Sequence, residues 1–254
     1  MRLFKKKNKI EEENFDDFPN IGGLMVSKLV TEDKKKPLFI YREKRTGPED
    51  SGWRIFSGYE SEGYTENPDN CGIYNASTIL KIDSSIKNLL FKGVGSVYER
   101  KSHKSDWYKV TDFELEDDYL IKDRLTKDWI LEINNLFERT KEESGDILYT
   151  TGDKSLRIAI WNEENKKSEE IYNEHKLQIL NRDQSIAKTL DTFDFSDDLI
   201  KRIGYQIKEK DDYKEYGVIY AFSFIDEEIL QMAYYFDNEE DKKWALETWK
   251  GIEI

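Results

Sequence analysis

Short runs of alternating apolar residues, a pair of such runs joined through an acidic turn near the C-terminus, and a few amphipathic stretches predict an α+β fold. The expected form is two small units, each a mainly antiparallel sheet with helices packed on it. The chain has 254 residues, room for one large domain or two small ones, and its 13 Phe, 15 Tyr and 6 Trp supply bulky core material. The expected organisation is a mobile charged tail over 1–20, an α+β domain over 21–105, a charged linker over 106–124 and a second α+β domain over 125–254.

Leu24, Val26 and Val30 open the first strand signal. Residues 37–43 alternate, with Leu38, Ile40 and Arg42 on one face and Phe39, Tyr41 and Glu43 on the other, and Pro37 suits a strand's first position. Residues 53–57 alternate again, Trp53 and Ile55 opposite Arg54 and Phe56. From 58 to 72, Glu60, Glu62, Glu66 and Asp69 stand among Gly, Pro and Asn, the composition of an exposed irregular loop. Asn75 and Asp83 are candidate N-caps, the second followed by Ile86, Leu89 and Leu90 at helical spacing, and a strand over 93–100 completes the unit.

In the second half, Trp129, Ile130, Ile133, Leu136 and Phe137 form a stripe that predicts a helix over 129–137. Residues 146–150 and 155–161 read as strands around a Gly152-Asp153 turn. A helix over 164–180 follows, with Ile171, Tyr172, His175 and Ile179 on one side. Aromatic-rich runs at 216–225 and 229–236 flank Asp226, Glu227 and Glu228, which predicts an antiparallel hairpin. Asp237 can cap a last helix, with Glu240 in the capping-box position and Gly251 at its end; Trp244, Ala245 and Trp249 would pack it on the hairpin.

Charge narrows the function. Against 53 acidic side chains stand 40 basic ones, a net charge of −13, which repels nucleic-acid phosphates and anionic lipid and attracts cationic partners. Neither nucleic acid nor membrane is expected as a partner. No uncharged apolar stretch approaches the roughly 20 residues that span a bilayer. Lys5, Lys6 and Lys7 are followed by Glu11, Glu12 and Glu13 rather than by an apolar secretory segment, and the single Cys71 has no partner for a disulfide. A reduced, cytoplasmic setting fits these features.

Catalytic signatures are weak. His103, His175 and Cys71 cannot form a dense metal-ligand spacing, and His175 reads as a packing residue on a helix face. Ser51 lacks a nucleophile elbow, and Gly93-Val94-Gly95 has Tyr98 where a dinucleotide fingerprint needs its third glycine. With 53 acids, close carboxylate pairs are abundant and each is uninformative. No catalytic residue, metal or cofactor is expected. Trp53 reads as core, whereas Tyr59, Tyr64 and Tyr74, in or beside the acidic loop, suit contact with a partner.

An ordered set of short segments carries a resemblance: Met25-Val26-Ser27, residues 39–43, residues 50–60, residues 67–70, Ile73-Tyr74, residues 83–86, Leu89-Leu90 and residues 95–100. Together, over 24–100, they resemble the immunity protein 33 type of bacterial polymorphic-toxin immunity proteins, formerly a domain of unknown function. The resemblance implies non-covalent, stoichiometric binding and occlusion of a cognate toxin, and it brings no catalytic residues to carry over. From the residues themselves, Tyr41, Arg42, Glu43, Asp50, Ser51, Gly52, Trp53, Arg54, Phe56 and Gly58 form a framework, with Arg42 and Arg54 pairing with Glu43, Glu60 or Asp50. Tyr59, Glu60, Glu62, Tyr64, Glu66, Asp69 and Tyr74 then face the partner, a toxin with a basic surface. The alternatives are a hydrolase using an acidic pair, and a cytoplasmic scaffold or sensor domain.

Overall fold

A computed structural model describes residues 14–212 and 214–254. The chain divides into two compact units, one holding the chain up to Phe91 and Ser96–Phe113, the other Lys92–Gly95 and Glu114–Ile254. Both combine sheets with a few helices, an α+β fold.

The first unit is a six-stranded sheet of β1 (Gly23–Ser27), β2 (Phe39–Arg42), β3 (Asp50–Phe56), β4 (Cys71–Tyr74), β5 (Val97–Glu99) and β6 (Tyr108–Lys109), in the order β4-β1-β3-β2-β5-β6. The central β1 and β3 run parallel and the other pairs are antiparallel. Leu24, Val26, Ile40, Trp53 and Ile55 point to one face, as the two-residue period requires, and bury themselves against Val30, Ile79, Leu80, Ile86 and Leu90. Val30 belongs to a one-turn helix, α1 (Lys28–Thr31), and not to the first strand, because the Ser27 hydroxyl accepts from the Leu29 N–H and starts a helical turn. A second short helix, α2 (Ala76–Leu80), and a 3-10 turn capped by Asp83 follow.

Residues 1–13 of the expected tail lie outside the described residues. Over 14–20 the chain departs from a mobile tail: Phe15 is buried, Phe18 packs on Phe91, and Asp16 pairs with Lys81. Residues 106–124, expected as a linker, carry β6 and β7 (Leu120–Arg124).

In the second unit β7 pairs with β8 (Ile130–Asn134). A seven-stranded antiparallel sheet is built from β9 (Glu138–Lys141), β10 (Ile147–Thr150), β11 (Ser155–Asn162), β12 (Asp191–Asp194), β13 (Lys201–Lys210), β14 (Glu215–Ile225) and β15 (Glu228–Phe236), ordered β12-β13-β14-β15-β11-β10-β9. The hairpin β14–β15 closes through Asp226 and Glu227, with Ile225 opposite Glu228 and Asp226 at φ 46, a conformation Asp tolerates. Helix α3 (Ser168–Leu180) packs His175 on Phe222 and Phe224, while α4 (Glu239–Lys250) buries Ala245 and Trp249, whose indole N–H donates to Ser223 at 3.0 Å. Its cap is Asn238, one residue after the expected Asp237, which instead pairs with Lys214.

The predicted helix over 129–137 is strand β8. Trp129, Leu131 and Ile133 are buried and Glu132 is exposed, a period of two that takes in Leu131, outside the expected stripe, and leaves Ile130 off the buried face, and β-branched isoleucines favour the strand. β9, β12 and β13 have no clean apolar alternation, and the sequence reading does not include them as strands.

Candidate functional site

Strand register places the other face of the first unit's sheet in two rows. Ile73, Met25, Arg54, Tyr41 and Val97 are successive Cα partners across β4, β1, β3, β2 and β5. Cys71 and Ser27 are paired beside them, as are Phe56, Phe39 and Glu99 farther along the sheet. Phe39, Tyr41, Phe56 and Phe113 form a ring cluster with centroids 5.1–6.0 Å apart.

Gly52 makes this face possible. Its φ is +79° and an added Cβ would stand 2.2 Å from the Glu43 carbonyl oxygen, so only glycine fits where β3 bends past the end of β2. The bend aims Asp50 back at Arg54. The buried Arg54 guanidinium donates from Nε to Glu43 at 2.6 Å and from Nη2 to Asp50 at 2.8 Å. Arg42 donates from Nε to the Ser51 carbonyl at 3.0 Å, and its guanidinium lies 6.0 Å from the Trp53 ring centre. Trp53 itself is fully buried and donates its indole N–H to the Leu90 carbonyl at 3.2 Å.

Arg54's hydrogen bonds hold the Asp50 carboxyl well below the usual carboxylate range, outweighing burial, with backbone N–H groups of Thr46 and Gly52 adding to the effect. A general acid needs the opposite shift. Asp50 is therefore held ionised against Arg54, and with Glu43, the nearest thing to an acidic pair here, it clamps the guanidinium. Tyr41 is raised, by burial first and then by Glu43. Among the described residues no cluster of three His, Cys, Asp or Glu is placed to hold a metal.

The acidic loop splits into two sets. Glu60 turns inward: its carboxylate accepts from the Ser57 N–H and hydroxyl and from the Gly58 N–H at 2.8–2.9 Å. Burial alone would raise its pKa, but these bonds and one from Ser27 lower it. Tyr64 and Asn70 tie the loop together, the tyrosine hydroxyl donating to the Asn70 carbonyl and the Asn70 amide to the Tyr64 carbonyl. Tyr74 accepts from the Thr31 hydroxyl and packs on the core. Glu62, Glu66 and Asp69 are exposed, and so is Tyr59, with Lys35 5.2 Å from its ring centre.

Sequence reasoning missed β4 and what it builds. Ile73 is 69% exposed, and with Gly23, Met25, Glu43, Thr46, Gly47, Pro48, Glu49, Asp50 and Arg54 it lines a groove of about 590 Å³. The available signal was Ile73 itself, an isoleucine next to a loop whose neighbours are polar.

Comparison with known proteins bears directly on this unit. Residues 24–111 match the family described as Immunity protein Imm33 domain, as the resemblance over 24–100 anticipates, and the match extends through β6. Curated proteins give no match. Among solved structures the chain is similar to the solution structure of cyanobacterial PsbP (CyanoP) from Synechocystis sp. PCC 6803, at 8% identity over 57% of this chain and 98% of that one, with a TM-score of 0.40. Among the described residues no helix is long and apolar enough to cross a membrane.

Proposed function

We propose that this chain is an immunity protein whose first unit binds a cognate bacterial toxin, one to one and without covalent chemistry, and occludes it in the cytoplasm. The observation that carries the reading is the Imm33 match over 24–111, which falls almost wholly within the first compact unit. Chemistry on that unit supports it. One sheet face bears Met25, Ile73 and an aromatic cluster, Glu49 lines the groove beside Ile73, and the loop that leads into β4 exposes Glu62, Glu66 and Asp69. Such a surface suits a basic partner: these carboxylates steer encounter, and the buried apolar contact sets the lifetime of the complex.

The test is to purify the full chain, mix it with the product of a neighbouring toxin-like reading frame, and measure mass by native spectrometry. A one-to-one complex is expected. Two intact proteins that stay separate at micromolar concentration would contradict the reading.

A further inference from the structure

Among the described residues β4 is the outermost strand of the first unit's sheet, hydrogen-bonded to β1 on one side. A strand so placed turns backbone N–H and C=O groups away from its neighbour and offers a template for another strand. Proteins commonly blunt such edges with lysine, proline or an inward charge. The β4 sequence Cys71-Gly72-Ile73-Tyr74 contains none of these. Gly72 and Tyr74 stand opposite Val26 and Leu24 and bond toward β1, and the Cys71 N–H is taken by the Pro68 carbonyl in the preceding turn, so the outward N–H and C=O open to further pairing are those of Ile73.

Side chains add selectivity to that edge. Ile73 is Cα partner to Met25 and forms a wall of the 590 Å³ groove. Gly23 gives Ile73 its place: a Cβ there would stand 2.5 Å from Ile73 Cγ2. Glu43 and Asp50 are occupied by Arg54, whereas the exposed Glu49 lines the groove, and Glu62, Glu66 and Asp69 are exposed on the loop that leads into β4. Apolar groove, open edge and exposed acids together describe one kind of occupant.

We propose that an extended segment of the partner, bearing lysine or arginine, adds to β4 as a seventh strand of this sheet. One apolar or aliphatic side chain of that segment seats against Ile73 and Met25, and its cations face Glu49, Glu62, Glu66 and Asp69. The proposal rests on the immunity reading for the partner's identity, but the edge can be tested without a toxin.

The probe is a fluorescent, end-blocked peptide of alternating lysine and valine, roughly eight residues long to suit a strand, with a glutamate–valine peptide as control. Anisotropy is read against the full chain. The lysine peptide should bind at least about tenfold more tightly than the glutamate peptide, and amide exchange should slow at Ile73. Ile73→Lys should keep the melting temperature, since the side chain is exposed, and weaken the lysine peptide about tenfold. Leu177→Lys, at an exposed leucine on α3, should leave binding unchanged. Equal affinity for the two peptides, undiminished binding by Ile73→Lys, or protection confined to other strands would overturn the edge. That failure leaves the immunity reading standing, whereas a normal peptide response without toxin binding would overturn the immunity reading alone.

Discussion

Trp53 and Arg54 are neighbours on β3 and face opposite sides of the sheet, one closing the core and the other holding the outer face together. Alternation alone assigns those sides. Trp53→Ala should cost about 3–5 kcal/mol, the range for emptying a fully buried aromatic site; urea unfolding measures it, and an unchanged midpoint would show that the indole does not support the core. For Arg54, the sequence narrowed the partners to Glu43, Asp50 or Glu60 but could not choose, because the choice depends on the backbone bend at Gly52. Arg54→Ala leaves two carboxylates facing each other and should destabilise by about 3 kcal/mol. The Asp50 pKa is depressed by its bond to Arg54, so the stability it contributes is fully present above its unfolded value near 3.9 and is lost as pH falls through the lower folded value. Stability of the full chain should therefore drop on acidification below about pH 4. Asp50→Asn should start less stable at neutral pH and decline less steeply, and a decline as steep as in the parent would remove Asp50 from the account.

At the scale of elements, the loop between β3 and β4 shows what charge counting leaves out. Four acids in a run of Gly, Pro and Asn look alike in sequence, yet Glu60 caps Ser57 and Gly58 while Glu62, Glu66 and Asp69 face outward. Direction follows from the positive φ of Gly58 and from the Ser57 hydroxyl, neither of which a composition can weigh. Glu60→Gln should lower stability by about 1–2 kcal/mol, because it places an amide N–H against donors. Changing Glu62, Glu66 and Asp69 to amides should instead slow toxin association and flatten its salt dependence, with folding preserved. Amides at Glu143, Glu164 and Asp198, exposed in the second unit, should slow it less at the same change of charge. Stopped-flow association against ionic strength decides, and equal slowing by both triples would reduce the loop to a solvated surface. β8 teaches a related lesson: over nine residues, apolar positions at 129, 130, 133, 136 and 137 satisfy a helical stripe, while burial of Leu131 and Ile133 around exposed Glu132 belongs to a strand.

For the molecule as a whole, the α+β class and the C-terminal hairpin with its helix were legible because long aromatic alternation has few other solutions. Strands β7, β9, β12 and β13 were not, since polar residues interrupt their alternation and a neighbouring strand supplies the order. The first unit's function was legible only through the ordered segments between 24 and 100, and the Imm33 match now covers 24–111. Of the residues expected to face a partner, Tyr59, Glu62, Glu66 and Asp69 are exposed, whereas Glu60, Tyr64 and Tyr74 serve the loop and core, and the groove beside Ile73 depends on an edge strand that sequence did not show. Growth of cells expressing the neighbouring toxin, with and without this chain, tests the central claim most directly. Full-length protein should restore growth, and Ile73→Lys made to the same soluble level should restore it less; toxin that arrests growth equally in the presence of abundant, folded protein would contradict the account.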